Sequence, residues 1–249
     1  LLHLGKELSI RGGVKQFILI GGVLDLKNPV AVAIFVDQNR IVGKIFIHRA
    51  NRAGSRGIHI RNRLDRLNVA AGGAGLYVVV GWEWDASLGR WVGLVASSVE
   101  GSVLQKQVVP PGAAPLNAVA YGAGRFVAVG IGGAIYVSTD GVTWGEAVSG
   151  TTDDLLAIRY ADGQFAAVGN NGRLLTSVDG LSWVDRSPAF AGSDRLDSVI
   201  WHGGLWYLTS YSWTFVTYIW TSPDFVTWTA HQYGGPGGFY DLDFAFGTM

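Results

Sequence analysis

Apolar and polar positions between Leu116 and Trp144 follow a pattern that the chain then repeats: LNAVAYGAGRFVAVGIGGAIYVSTDGVTW. An alternating run over Ala118 to Tyr121 meets Gly122-Ala123-Gly124, and a second run, Phe126 to Val129, stops at Gly130. Period-two alternation broken by small turn residues predicts two antiparallel strands. A third run, Ala134 to Val137, enters Ser138-Thr139-Asp140-Gly141, and Val142-Thr143-Trp144 leaves it. The unit therefore predicts a four-stranded antiparallel sheet.

The pattern recurs. Leu155 to Gly169 matches Leu116 to Gly130 position for position and is followed by Ser177-Val178-Asp179-Gly180-Leu181-Ser182-Trp183. Leu196 to Ser210 is another copy, followed by Ser222-Pro223-Asp224-Phe225-Val226-Thr227-Trp228. Leu67 to Gly81 is an earlier one whose turn has drifted to Ser98-Val99-Glu100-Gly101, and a divergent copy begins near Glu7. Phe239 to Gly247 has the spacing of one more opening strand. Starts near 7, 67, 116, 155, 196 and 239 give a period of roughly 40 to 60 residues, that of propeller blades. A small sheet cannot bury its own faces, so it must stack on its neighbours. The expected fold is all-β: one β-propeller domain over 1–249, of four-stranded antiparallel blades at about 7–48, 67–109, 116–150, 155–188 and 196–233. A basic insertion fills 48–66, and a strand over 239–247 either closes the ring or opens a sixth blade.

The turns resemble the Asp-box, or BNR, repeats of sialidases and of many bacterial and phage propellers, in a loose form that is one residue shorter between Asp and Gly in two copies and has Phe225 in place of Gly in the third. The resemblance implies structural roles for Ser138, Asp140, Trp144, Ser177, Asp179, Trp183, Ser222, Asp224 and Trp228, with Asp accepting turn N–H groups and Trp plugging the loop. It also implies a binding or structural protein of a phage virion or tail, or a secreted bacterial protein, and hence a virion or extracellular location. The Arg-Ile-Pro signature of sialidases is absent, and Arg90, Arg125, Arg159, Arg173 and Arg195 are spread singly over the repeats. A sialidase-like glycoside hydrolase, with Glu83, Asp85 and Glu146 as its acids, is the alternative, although no pair of them has a spacing that argues for the carboxylate separation such catalysis needs. A purely architectural assembly subunit is another.

Composition narrows this further. There is no cysteine, so disulfides and thiolate chemistry are excluded. The five histidines are scattered, and no metal or cofactor is expected. No apolar run approaches a membrane span. LLHLGKELSI lacks a starting Met and a signal-peptide layout, which suggests that the chain begins inside a longer or processed product. The formal net charge is zero, yet residues 1–66 carry twelve Lys/Arg against four Asp/Glu and the remainder seven against fifteen. Such polarity favours oriented docking on partner proteins or on other copies.

Three stretches carry candidate contacts. The segment 48–66 places Arg49, Arg52, Arg56, Arg61, Arg63 and Arg66 against the single acid Asp65, suited to an anionic partner or to a solvated or subunit-contacting loop. Nucleic acid is a poor fit, since no aromatic platforms interleave with the arginines. Trp82, Trp84, Asp85 and Trp91 suit a sugar, whose C–H faces stack on rings while its hydroxyls bond to acids, or a lengthened hairpin closed by a Trp pair. In the last full repeat Trp206, Tyr211, Trp213 and Tyr218 stand in an aromatic crowd that either faces a glycan or protein partner or packs between blades.

Overall fold

The structure is a computed structural model and describes residues 17–20, 30–37, 40–41, 46–49, 68–71, 76–99, 105–192, 194–211 and 217–233. Among these are five sheets of four strands each. The first contains β1 (Phe17–Ile20), β2 (Val30–Asp37), β3 (Arg40–Ile41) and β4 (Phe46–Arg49). It departs from the expected meander: β2 is central, with β1 on one edge and β3 and β4 in succession along the other. Residues 50–66 of the expected insertion over 48–66 and the final strand over 239–247 lie outside the described residues, as does Trp213.

The other four sheets are simple antiparallel meanders. They comprise β5 (Asn68–Ala71), β6 (Leu76–Asp85), β7 (Arg90–Val99) and β8 (Gln105–Lys106); then β9 (Leu116–Gly122), β10 (Arg125–Gly130), β11 (Ile135–Ser138) and β12 (Gly145–Ala147). The next is β13 (Leu155–Ala161), β14 (Gln164–Gly169), β15 (Leu174–Ser177) and β16 (Val184–Asp185). The last is β17 (Arg195–His202), β18 (Leu205–Tyr211), β19 (Thr217–Ser222) and β20 (Thr229–Tyr233). First strands lie side by side in the order β5, β9, β13, β17.

Each core is shared between two sheets because alternate residues of a strand face opposite neighbours. In β10, Phe126 and Ala128 join Val78, Val80 and Val95 of the preceding sheet, whereas Val127 and Val129 join Leu155, Ile158 and Phe165 of the following one. In β14 the same split sends Phe165 and Ala167 back and Ala166 and Val168 forward onto Leu196 and Trp206. Burying a side chain of this size contributes about 1.5–3 kcal/mol. No sheet could keep that contribution alone.

A bulge marks one repeat position in three sheets. Leu116 pairs with Gly130, Leu155 with Gly169 and Leu196 with Ser210, skipping Asn117, Leu156 and Asp197. Re-aimed by the bulge, Asn117 Nδ2 donates to Leu155 O of the next sheet at 2.8 Å.

The turns between third and fourth strands repeat one hydrogen-bond pattern. Ser138 Oγ accepts from Gly141 N at 2.8 Å, and Asp140 Oδ1 accepts from Val142 N and Thr143 N, both at 2.8 Å. Ser177 and Asp179 do the same for Gly180, Leu181 and Ser182, and Ser222 and Asp224 for Phe225, Val226 and Thr227. The three serines are buried. The backbone N–H groups at each turn hold the carboxyls of Asp140, Asp179 and Asp224 below the usual carboxylate range.

The residue after each Asp has left-handed backbone, with φ of 70° at Gly141, 74° at Gly180 and 61° at Phe225. It also leans on the sheet before. A Cβ at Gly141 would stand 2.6 Å from Leu76 Cδ2, and one at Gly180 2.7 Å from Val127 Cγ2. In the last sheet Phe225 occupies this place, and the preceding strand offers Ala166 where Val127 stands one repeat earlier; both lie in one buried cluster. The Phe225 ring packs on Trp206, centroids 4.6 Å apart, and on Trp228 at 6.2 Å. Where the earlier repeat sets Val127 against Gly180, the last sets Ala166 against Phe225, an exchange in which the smaller side chain on the strand leaves room for part of the ring.

Phe225→Gly loses a buried ring, about 3–5 kcal/mol, and regains about 1–2 kcal/mol from relief of left-handed backbone, so urea unfolding is expected to show a net loss of about 2 kcal/mol. Ala166→Val alone overpacks the site by about 1–3 kcal/mol. Combined, the two changes recover at least about 1 kcal/mol relative to their sum; strict additivity contradicts the exchange.

Asp179→Ala is expected to cost about 1–2 kcal/mol through orphaned turn donors. Because the turn N–H groups hold the three folded carboxyls below the usual carboxylate range, the stability they contribute is present in full above that range and is lost as the pH falls through it towards the folded values. Unfolding midpoints measured between about pH 6 and 2.5 should show that loss, reduced in the Asp179→Ala variant.

Candidate functional site

β6 and β7 are each ten residues long, and their register is unbroken from Leu76↔Val99 to Asp85↔Arg90. Val78, Val79, Val80, Val92 and Val95 are buried. Past them the hairpin runs beyond the shared core, and the apolar side chains there face water: Trp84 is 52 % exposed, Leu88 51 % and Trp91 49 %. Trp84 and Trp91 are directly cross-strand and meet edge to face, centroids 5.5 Å apart at 73°. Such a pair contributes about 0.5–1.5 kcal/mol beyond its burial. Trp82, on the same side of the strand, is half-buried.

This tip is fastened. Glu83 pairs with Lys106 on β8, and Arg90 Nη2 donates to Gly112 O at 3.1 Å. Gly93 N donates to Ala113 O at 2.8 Å, and glycine is required there because a Cβ would stand 2.5 Å from Ala114 O. Asp85 Oδ1 accepts from Ser87 Oγ at 2.6 Å, from Ser87 N at 2.8 Å and from Leu88 N at 3.2 Å. The Ser87 hydroxyl first, and then the N–H groups of Leu88 and Ser87, hold its carboxyl below the usual range. Asp85 therefore builds the hairpin turn through Oδ1.

Of the two dispositions open to the fifth sheet's aromatics, an outward face or packing between blades, Trp206 takes the second. Trp206 is fully buried, packed between Trp201 at 5.1 Å and Phe225 at 4.6 Å. It fills the place of Phe126 and Phe165, which make the matching pairs with Tyr121 and Tyr160 at 4.7 Å, so it is a core residue and offers no surface contact. Tyr211 and Tyr218 are half-buried, and Tyr218 lies beside Trp220 at 5.3 Å.

Phe190 was not singled out by the sequence pattern. It stacks on Trp220, centroids 3.6 Å apart at 19°, and meets Trp228 edge-on at 5.7 Å. It sits in the loop between β16 and β17, where Pro188-Ala189-Phe190-Ala191-Gly192 has no periodicity to read. Its one available signal was a large apolar residue among small ones. With Asp185, Arg186, Pro188, Phe225 and Trp228 it borders an open cleft of about 630 Å³.

Arg49 ends β4, and Arg52, Arg56, Arg61, Arg63 and Arg66 lie outside the described residues. The three acids of the hydrolase alternative are not gathered: Glu83 is ion-paired, Asp85 is in its turn, and Glu146 stands exposed on β12 of another sheet.

No family model matches the sequence, and no curated protein does. Solved structures do match. YjhT aligns with a TM-score of 0.50 at 10% identity, over 70% of this chain and 67% of that one. YCF48 from Cyanidioschyzon merolae gives 0.45 at 15% identity over 88% and 72%. Sqt1 from Chaetomium thermophilum gives 0.48 at 14% identity over 63% of this chain, which spans only 43% of the length of Sqt1. These neighbours are propeller-like, and at such identities the likeness concerns the fold alone.

Phe190→Ala uncovers Trp220 and Trp228. The expected result is a loss of about 1–2 kcal/mol in stability with a red shift in tryptophan emission; unchanged emission contradicts the stack.

Proposed function

We propose that the protein is a non-enzymatic β-propeller of Asp-box type, with five blades and a closing strand from residues 239–247, that binds glycan on an external surface through the tip of the β6–β7 hairpin. One observation carries this reading: Trp84 and Trp91 remain about half exposed on a hairpin whose backbone and charged side chains are already tied down. An exposed apolar pair on a fixed support has lost its ordering entropy before any ligand arrives, which favours affinity. Ring faces meeting edge to face offer flat apolar area of the kind a pyranose covers. The binding reading also fits carboxylates that are committed to turns and ion pairs and not gathered in a cleft. A virion or cell exterior as its place rests on the resemblance of the turns to the looser Asp-box repeats.

A glycan array followed by titration of any ligand found is the test. Trp84→Ala and Trp91→Ala are expected to weaken binding about tenfold or more each while leaving the core intact, as checked by thermal unfolding. Binding equal to the unchanged protein removes the hairpin from the site, and failure to bind any glycan contradicts the ligand class.

A further inference from the structure

The opposite end of the sheets carries a second repeated feature. The residue two places after each box Asp is apolar and open to water in all three boxes: Val142 is 45 % exposed, Leu181 48 % and Val226 68 %. Val178 and Val99, at a matching place in two of the turns, are 71 % and 63 % exposed. Single exposed apolar residues need no explanation, whereas a recurring set on one surface marks a contact. Nothing in the turn requires them, because these positions supply only backbone N–H groups to the Asp carboxylates. They share one end of the stack: the four meanders run in the same strand order with their first strands adjacent, so the three box turns lie opposite the second-to-third turn that bears Trp84 and Trp91.

The same end is acidic. Asp140, Asp179 and Asp224 stand one or two residues from the exposed apolar groups, and Asp162 is in the neighbouring first-to-second turn, with Arg125 and Arg159 the nearby cations. A fitting partner is therefore cationic with interspersed apolar groups. The chain contains one such stretch: residues 48–66 hold six arginines and one acid, together with Ile58, Ile60 and Leu64. We infer that this apolar, acidic rim is the docking surface for the Arg-rich segment 48–66 of a second copy of the chain, giving head-to-tail assembly. A chain of zero net charge with its cations concentrated in the first 66 residues and its acids in the remainder has no overall repulsion to keep copies apart. Unlike surfaces meeting in this way form a heterologous contact, which continues into a ring or a filament.

Two variants test it: a rim variant, Val142→Ser/Leu181→Ser/Val226→Ser, and an arginine variant, Arg52→Gln/Arg56→Gln/Arg61→Gln/Arg63→Gln. Sedimentation at about 50 mM salt should show the unchanged protein self-associating and then dissociating near 0.5 M, where screening acts within a few ångströms. Each variant alone should be monomeric. Their mixture should form a one-to-one dimer, since one retains the rim and the other the arginines. A synthetic peptide of residues 48–66 should bind the unchanged protein and bind the rim variant at least tenfold more weakly. A monomer at low salt, a rim variant that still associates, a mixture that does not pair, or equal peptide binding each overturns the inference. The Trp84 and Trp91 variants should assemble normally, so failure here leaves the glycan reading separately testable.

Discussion

The structure depends on a turn that does two things at once. Each buried Ser and its Asp fold the link between third and fourth strands into a fixed shape, and that shape presses the next residue onto the sheet before it. A hydrogen-bonded turn is local and closes at little entropic cost. Packing between sheets is distant in sequence and rewards the chain only once both sheets exist. Coupling the two lets local sequence dictate the spacing of neighbours. Phe225 illustrates the coupling, since a bulky residue at a left-handed position packs in one buried cluster with Ala166, which stands where Val127 stands one repeat earlier.

Shared cores leave the two ends of the sheets free to diverge. At the turn end the geometry repeats, and so do its exposed Val and Leu side chains. At the other end length varies: the hairpin tip at Asp85–Arg90 extends well past its sheet, while the corresponding link in the next sheet is a single 3₁₀ turn at Ile131–Gly133. Variation at a repeat's edge with constancy in its core is how a solenoid-like array acquires a specific contact without disturbing its fold. The Trp84–Trp91 pair sits at that variable edge.

Much of the architecture was legible in the sequence because strand alternation and box spacing are properties of single strands and single turns. The pattern predicts four-stranded antiparallel sheets, and the four sheets from Asn68 to Tyr233 are of that kind. The first sheet departs from the simple meander, because strand order is decided by which edge a chain returns to, and alternation within β2 is the same for either edge. The site was harder to read. Trp206 looked available because its strand alternates, but a strand between two sheets buries both faces, and Trp206 takes the core place of Phe126 and Phe165. The turn role of Asp85 was not legible because its partners, Ser87 and Leu88, carry no signal stronger than proximity. Phe190 lay in a loop without period, and its value comes wholly from Trp220 and Trp228, thirty and more residues away.

Native-state hydrogen exchange at the box amides tests the central claim most directly. Gly141, Gly180 and Phe225 donate to buried serine hydroxyls beneath a neighbouring sheet, so their N–H groups should be protected to nearly the level of the strand amides of β10, β14 and β18 and should open only with the sheets. Exchange of these amides at the rate of exposed turns, while the strands remain protected, would show that the tips do not hold one sheet to the next.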